Sequence, residues 1–261
     1  MKIAVCIKQV PTREWQPRLN DDKTGIREQD ASFELNEPDA FALEEALRLR
    51  ERHGGEVVVC AAGPARVQQV IREALARGAD RALHVEDDAL AGADAAITSA
   101  ALAGAMDGER FDLVLTGLQS DDQGHAQVGV MLAERLGIPH STIIMEVQIE
   151  DSSTGAGQGG RLRVKRELEG GWFQWIGMPL PALLTIQSGI NQLRYATLKG
   201  IMAAKKKEIR KVAMAPGLAP TQRIVSLSLP TRSKQTRLIT GSAPQAASEL
   251  VRLLREEARV L

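Results

Sequence analysis

Aromatic side chains are scarce, with one tyrosine, four phenylalanines and three tryptophans in 261 residues. That scarcity argues against a platform on which the bases of a nucleic acid strand could stack. An excess of either charge is also missing. Thirty-three basic and 33 acidic residues cancel, so no global field draws the chain to nucleic acid or to an anionic membrane. The two cysteines, Cys6 and Cys60, each lie inside an apolar run and are expected to be reduced core residues rather than a disulfide. Neither they nor the scattered histidines show metal-ligand spacing. No apolar run approaches a membrane span, so no direct membrane insertion is expected. The opening Met1–Ile7 run is too short for a signal peptide and leads straight into a strand pattern, which points to a cytoplasmic location. The loop after the Leu113–Thr116 run carries neither the Walker A nor the G-x-G-x-x-G pattern, and there is no internal repeat.

What is present suits an ordinary globular chain: 44% hydrophobic and 25% charged residues, enough for one large α/β domain, alone or with an appendage. The core must come from Ala, Val, Leu and Ile. Ile3–Ile7, Val57–Ala62, Ala82–Val85 and Leu113–Thr116 are continuous apolar runs that read as buried strands. Val67, Val70, Ile71, Ala74 and Leu75 follow the i, i+3, i+4, i+7, i+8 spacing of a helix, with Gly78 as its stop. A second helix starts at Asn36-Glu37-Pro38-Asp39 and runs to His53, with Asn36 as its expected cap and Leu43, Ala46 and Leu47 on its apolar face. Such alternation implies a parallel sheet covered on both faces.

The texture changes near residue 140. Thr142–Ile149 and Arg161–Glu167 read as antiparallel strands joined by a flexible turn over Asp151–Gly160, and Trp172–Ile176 and Ala182–Ile186 as further strands. Lys205–Pro230 is polar and broken by proline. Pro244–Leu261 resumes a helical pattern through Ala247, Leu250, Val251 and Leu254, and Pro244 fits its first turn.

In an open parallel sheet, ligands bind beyond the carboxyl ends of the strands. Three loops qualify: Cys6 through Lys8-Gln-Val-Pro11, Ala61-Ala62-Gly63-Pro64, and Gly117-Leu118-Gln119-Ser120-Asp121-Asp122-Gln123-Gly124-His125-Ala126-Gln127-Val128. The last joins a strand to a helix bearing Val128, Met131, Leu132 and Leu136. Its glycines, its hydroxyl and the amides of a helix start can cradle an anion. A loop that merely turns strand into helix is the plainer alternative. Asp121, Asp122 and His125 raise an acid–base reading, but no nucleophile or second carboxylate is paired with them in the sequence.

Asn191-Gln-Leu-Arg-Tyr-Ala-Thr-Leu-Lys-Gly-Ile-Met-Ala-Ala-Lys-Lys-Lys207 fits no core element. Leu193, Tyr195, Leu198, Ile201 and Met202 are irregularly spaced ahead of three lysines, as in a surface arm. This stretch resembles the recognition loop of the electron transfer flavoprotein beta subunit family. Val5-Cys-Ile-Lys-Gln-Val-Pro11, Leu35-Asn-Glu-Pro-Asp-Ala-Phe-Ala-Leu-Glu-Glu-Ala46, Gly63-Pro64, Ala74–Arg81, the Gly117 loop, Arg166-Glu-Leu-Glu-Gly-Gly171 and Leu180-Pro-Ala182 resemble that family in the same order, over nearly the whole chain. Three positions depart from it. Ser120-Asp-Asp-Gln-Gly124 replaces A-I-D-[DG]-D, Pro38 stands where an aromatic is common, and Leu193 replaces a proline.

The resemblance implies a three-layer doubly wound parallel sheet of the adenine nucleotide hydrolase-like kind, with an antiparallel extension and a C-terminal arm. It divides the chain into a nucleotide-binding domain (1–190), a recognition loop (191–207) and an arm and helix docking on the alpha subunit (208–261). It also implies a noncatalytic half of a heterodimer. The alpha subunit would hold most of the FAD and this chain a structural AMP, contacted by Cys6, Asn36, Glu37, Pro38, Asp39, Ala62 and Gly117 through Val128. Tyr195, Leu198, Ile201, Met202 and Lys206 would meet flavoprotein dehydrogenases such as those of fatty acid β-oxidation, with Lys205, Lys206 and Lys207 steering the encounter. Electrons would leave to a membrane quinone oxidoreductase.

Alternatives remain at this point. Some relatives bind a second FAD in place of AMP and bifurcate electrons. An adenine-nucleotide-hydrolysing or adenylating enzyme would carry an S-G-G-x-D-S-type loop after the first strand, which Lys8-Gln-Val-Pro11 is not. A nucleotide-binding stress or signalling module would form a homodimer and leave the Asn191 stretch unexplained.

Overall fold

A computed structural model describes residues 1–150, 160–230 and 236–261. The turn expected over Asp151–Gly160 thus lies, but for Gly160, outside the described residues. The chain forms two compact units, Met1–Leu227 and Ser228–Leu261.

In the first unit the elements run β1 (Lys2–Cys6), β2 (Gln9–Pro11), β3 (Phe33–Leu35), α1 (Glu37–His53), β4 (Glu56–Gly63), α2 (Gln68–Arg77), β5 (Arg81–Glu86), α3 (Ala95–Met106), β6 (Leu113–Gly117) and α4 (Val128–Leu136). They continue with β7 (His140–Glu150), β8 (Arg161–Glu167), β9 (Phe173–Pro179), β10 (Ala182–Ile186), α5 (Leu198–Ala204) and β11 (Ile209–Val212). Nine strands form one sheet in the order β11-β5-β4-β1-β6-β10-β7-β8-β9. It is parallel from β11 to β7 and antiparallel from β7 to β9.

Alternation along the central strands sorts side chains to two faces. Ile3, Val5, Val57, Val59, Leu113, Leu115 and Leu184 pack with the buried residues of α1 and α2. Ala4, Cys6, Val58, Cys60, Val114 and Leu183 pack with Leu102, Met106, Leu132 and Ala133 of α3 and α4. The result is the three-layer α/β architecture expected from the sequence. Both cysteines are buried thiols, and burial pushes Cys60 up to about 12, so no thiolate is on offer.

Helix ends follow local chemistry. Pro38 lies in the first turn of α1, Glu37 and Asp39 sit at its positive end, and Arg50, Arg52 and His53 at its negative end, in keeping with the helix dipole. Gly54, at φ 71°, ends it. Asp94 caps α3 by accepting from Ile97 N at 2.8 Å. Strand β7 pairs first with β10 and then with β8, bending where Ile143 takes a φ of 60° and the register shifts. That conformation is unusual for a β-branched residue. The bend brings Val147, Leu162, Val164 and Met178 into the core shared with α1 and α2.

In the second unit, α6 (Ala243–Glu256) starts with Pro244 in its first turn, and Ser242 N donates to Gln245 Oε1 at 3.0 Å. None of its residues is buried, and Leu250 and Val251 are exposed. Among the described residues, no helix is long and apolar enough to cross a membrane, and no cluster of three His, Cys, Asp or Glu could hold a metal ion.

Candidate nucleotide site and the exposed Asn191 segment

From β1 the chain winds through β4 and β5 to one side, then returns through α3 to β6 on the other side of β1. The crevice above the carboxyl ends of β1 and β6 is therefore the topological switch point. Three segments meet there: Lys8 after β1, the start of α1, and the loop after β6.

Asp39 is the knot. Its carboxyl accepts from Lys8 N at 2.8 Å and from Gly117 N at 2.9 Å. Burial pushes it up to about 7, while the two amide donors and the Lys8 charge pull the other way. Gly117 has no room for a side chain. A Cβ there would overlap the Asp39 carboxyl, lying also 2.7 Å from Pro38 Cβ and 2.8 Å from Asp39 N. Glycine is thus what lets α1 abut the strand end.

Asn36 does not cap α1 as its position suggested. Its side chain instead spans to the loop, donating to Gln119 O at 3.1 Å and accepting from Asp121 N at 2.9 Å. Lys8 Nζ reaches Asp122 at 2.7 and 2.8 Å, Gln123 Oε1 at 3.2 Å and Ser120 Oγ at 3.3 Å. Burial favours the neutral form of Asp122, yet Lys8 and the loop's hydrogen bonds hold it below the usual carboxylate range. Arg13 pairs with Glu37 and with Asp121, the latter at 3.0 Å. Leu118 N donates to Ile186 O and Gly124 N to Ser120 O. His125, Ala126 and Gln127 are exposed. Asp121 and Asp122 are therefore committed to cations, and His125 has no carboxylate partner among the described residues. Nothing here assembles an acid–base pair.

Where the loop ends, α4 begins without a side-chain cap. The amides of Val128, Gly129 and Val130 have no acceptor among the described residues. A helix start of this kind at the mouth of the crevice is a ready anion site. Cys6 ends β1, in register with Cys60, and Ala62 lies half-buried near the end of the adjacent β4. Together they form the floor beside the loop. Lys8 and Arg13 were not assigned roles from the sequence. Their partners lie up to 114 residues away along the chain, a separation that local pattern does not reveal.

The Asn191 segment lies in the first unit and ends in α5, a helix the irregular spacing did not announce. Tyr195 is 86% exposed, Leu198 78%, Met202 57% and Ile201 45%. Leu193 and Ala196 instead pack against the core. Lys205 and Lys206 are exposed. Lys207 differs from them, with its Nζ turned onto Leu75 O at 3.1 Å and Ala79 O at 2.5 Å at the end of α2.

Comparison with known proteins matches residues 24–216 to the electron transfer flavoprotein domain. The chain is 36% identical over 267 aligned positions to the electron transfer flavoprotein subunit beta of Methylophilus methylotrophus, covering 98% of each chain. It is 38% identical over 266 positions to the subunit of the same name from Thermoanaerobacterium thermosaccharolyticum, with 97% of this chain and 98% of that one covered. It is also 38% identical over 271 positions to the caffeyl-CoA reductase-Etf complex subunit CarD of Acetobacterium woodii, with 98% and 99% covered.

Proposed function

The chain belongs to the electron transfer flavoprotein family and matches its beta subunits over nearly its whole length, and from that premise we propose that it holds a structural AMP at the switch point of its sheet. The observation that carries the proposal is the pair formed by the uncapped α4 start and the Asp39–Gly117 knot beside it. The amides of Val128, Gly129 and Val130 would take the phosphate. The ends of β1 and β4, at Cys6 and Ala62, would flank the adenine, and Asn36 and Lys8 would hold the loop around the ribose. Asp121 and Asp122 already have cationic partners, so they need not repel the phosphate.

As a beta subunit the chain pairs with an alpha subunit. In this proposal the alpha subunit holds most of the FAD, which supplies the redox chemistry when bound. The residues of this chain make and break no covalent bond. They bind, orient and dock. The exposed face of Tyr195, Leu198, Ile201 and Met202, with Lys206 beside it, meets flavoprotein dehydrogenases, and a quinone oxidoreductase takes the electrons onward. One buried Leu198 would contribute about 1.5–3 kcal/mol to such a contact. The amphipathic α6, with Leu250 and Val251 uncovered, suits a helix that docks on the alpha subunit.

A second reading places FAD in the same crevice and makes the complex electron-bifurcating. What favours it is the identity shared with a subunit of a caffeyl-CoA reductase complex. Purifying the chain with its alpha partner, denaturing the complex and quantifying released FAD and AMP separates the two. One FAD and one AMP per heterodimer supports the carrier, and two FAD with no AMP supports the second reading. A complex with neither a second flavin nor AMP would overturn the nucleotide site.

A further inference from the structure

The exposed apolar face of α5 is carried by a helix of only seven residues, too short to hold its shape unaided. Two longer helices hold it from either end. At the far end Arg72 donates to Ala204 O at 2.6 Å and Lys207 O at 2.8 Å. Gly200 lies so close to α2 that a Cβ would collide with Ala76 O. At the near end Asn191 Nδ2 donates to Phe41 O at 3.1 Å, and Arg48 to Gln192 O at 2.9 Å. Between these anchors Leu193 and Ala196 pack against the core, but the segment and the helices beneath do not meet throughout. A cleft of 570 Å³, bordered by Arg48, Arg77, Leu193, Tyr195 and Thr197, separates them. Arg194 crosses it from the segment's side. Arg194 donates to Glu44 at 2.7 and 3.1 Å and to Glu51 at 2.5 and 3.1 Å.

We propose that Arg194 is a positioning residue: clamped between Glu44 and Glu51 of α1, it fixes the angle at which α5 presents Leu198, Ile201 and Met202 to a partner. The proposal rests on the docking role of that face. A planar guanidinium satisfies two carboxylates at once, which an ammonium cannot do with the same geometry. Four of its hydrogen bonds are already made within the chain, so its work is to order the segment rather than to grip the partner. Burial would push the Glu44 carboxyl up, but Arg194 and Arg48 hold it below the usual range. Glu51 is lowered chiefly by its bond to Arg194. Ordering the segment before encounter removes an entropic cost that binding would otherwise bear.

The test uses the flavin-loaded heterodimer as electron acceptor for an acyl-CoA dehydrogenase, with chemical reduction by dithionite as a partner-independent control. Leu198→Ala is expected to raise the KM for the heterodimer. Arg194→Lys is expected to raise it about three- to tenfold with kcat and dithionite reduction unchanged. On the Leu198→Ala background the same change should add less than about twofold, because it acts through the face already lost. Glu51→Gln, at the exposed half of the clamp, should give a smaller rise of the same kind. If Leu198→Ala raises KM but Arg194→Lys and Glu51→Gln do not, or if the effects multiply as independent contacts, the positioning role is wrong and the docking face stands. If Leu198→Ala leaves KM unchanged, the docking reading falls and takes the clamp's role with it.

Discussion

Replacing Gly117 by alanine adds one methyl group at the tightest point of the site. Its Cβ would overlap the Asp39 carboxyl and sit 2.7 Å from Pro38 Cβ and 2.8 Å from Asp39 N, where carbon contacts need about 3.5–4.0 Å. Two of the three obstacles belong to backbone or a proline ring, so the relief is a retreat of the α1 start by about 1 Å. Overpacking of this sort costs about 1–3 kcal/mol. The same retreat stretches the 2.9 Å bond from Gly117 N to Asp39, worth about 1.5–3 kcal/mol when the acceptor is charged. Because one movement produces both losses they overlap, and the expected total is about 2–4 kcal/mol. For a domain of this size that lowers Tm by about 4–16 °C. Gly104→Ala supplies the control. It is the same chemical change in α3, with nothing within 4 Å of the new Cβ, and should stabilise by up to about 1 kcal/mol. Thermal and urea unfolding of the heterodimer read both. Gly117→Ala within about 0.5 kcal/mol of the parent, with nucleotide content intact, would refute the close approach on which the site is built.

Lys8→Met removes the tie to Asp122, Ser120 and Gln123. The pair is partly exposed, so stability should fall by no more than about 1 kcal/mol, while hydrogen exchange at Gly124 N speeds up and bound nucleotide leaves faster. A carbon-13 titration of the Asp39 carboxyl should show a midpoint at about 7; a midpoint at its ordinary 3.8 would mean that the amides of Lys8 and Gly117 fully offset burial. The sign follows from linkage. With the raised value the folded chain keeps a proton that the unfolded chain has released, so this group lowers stability as pH climbs from 3.8 to about 7. Lys207→Met should cost about 1 kcal/mol, because Ala79 O loses its side-chain donor while Leu75 O keeps the Gly78 amide; unchanged urea unfolding would leave Lys207 a solubility or steering role.

Continuous strands and stripe-bearing helices were legible because burial on both faces writes itself into the sequence: β8 and β10 fall at Arg161–Glu167 and Ala182–Ile186 as expected. Helix α3 went unread since Ala95–Met106 is apolar all round and shows no stripe. Strand β11 lies within the polar Lys205–Pro230 stretch. Its Arg210 and Lys211 face outward at a sheet edge and pair with Glu109 and Glu86, so only half of it looks like a strand. Strand β2 carries a proline among its three residues, and its antiparallel partner β3 lies far along the chain. In the crevice the motifs name segments that the fold brings together, but not the wiring between them. Asn36 looked like a cap because its position allows one, yet the loop amide of Asp121 and the carbonyl of Gln119 compete for the same side chain. Such choices depend on what the fold brings near.

Photolabelling the nucleotide-stripped heterodimer with 8-azido-AMP, followed by peptide mapping, addresses the nucleotide site most directly. Label that AMP competes away and that maps to peptides containing Cys6–Pro11, Ala62–Val67 or Gly117–Val128 is the expected result. Label confined to the alpha subunit, or placed elsewhere on this chain, would contradict the assignment of the crevice above β1 and β6.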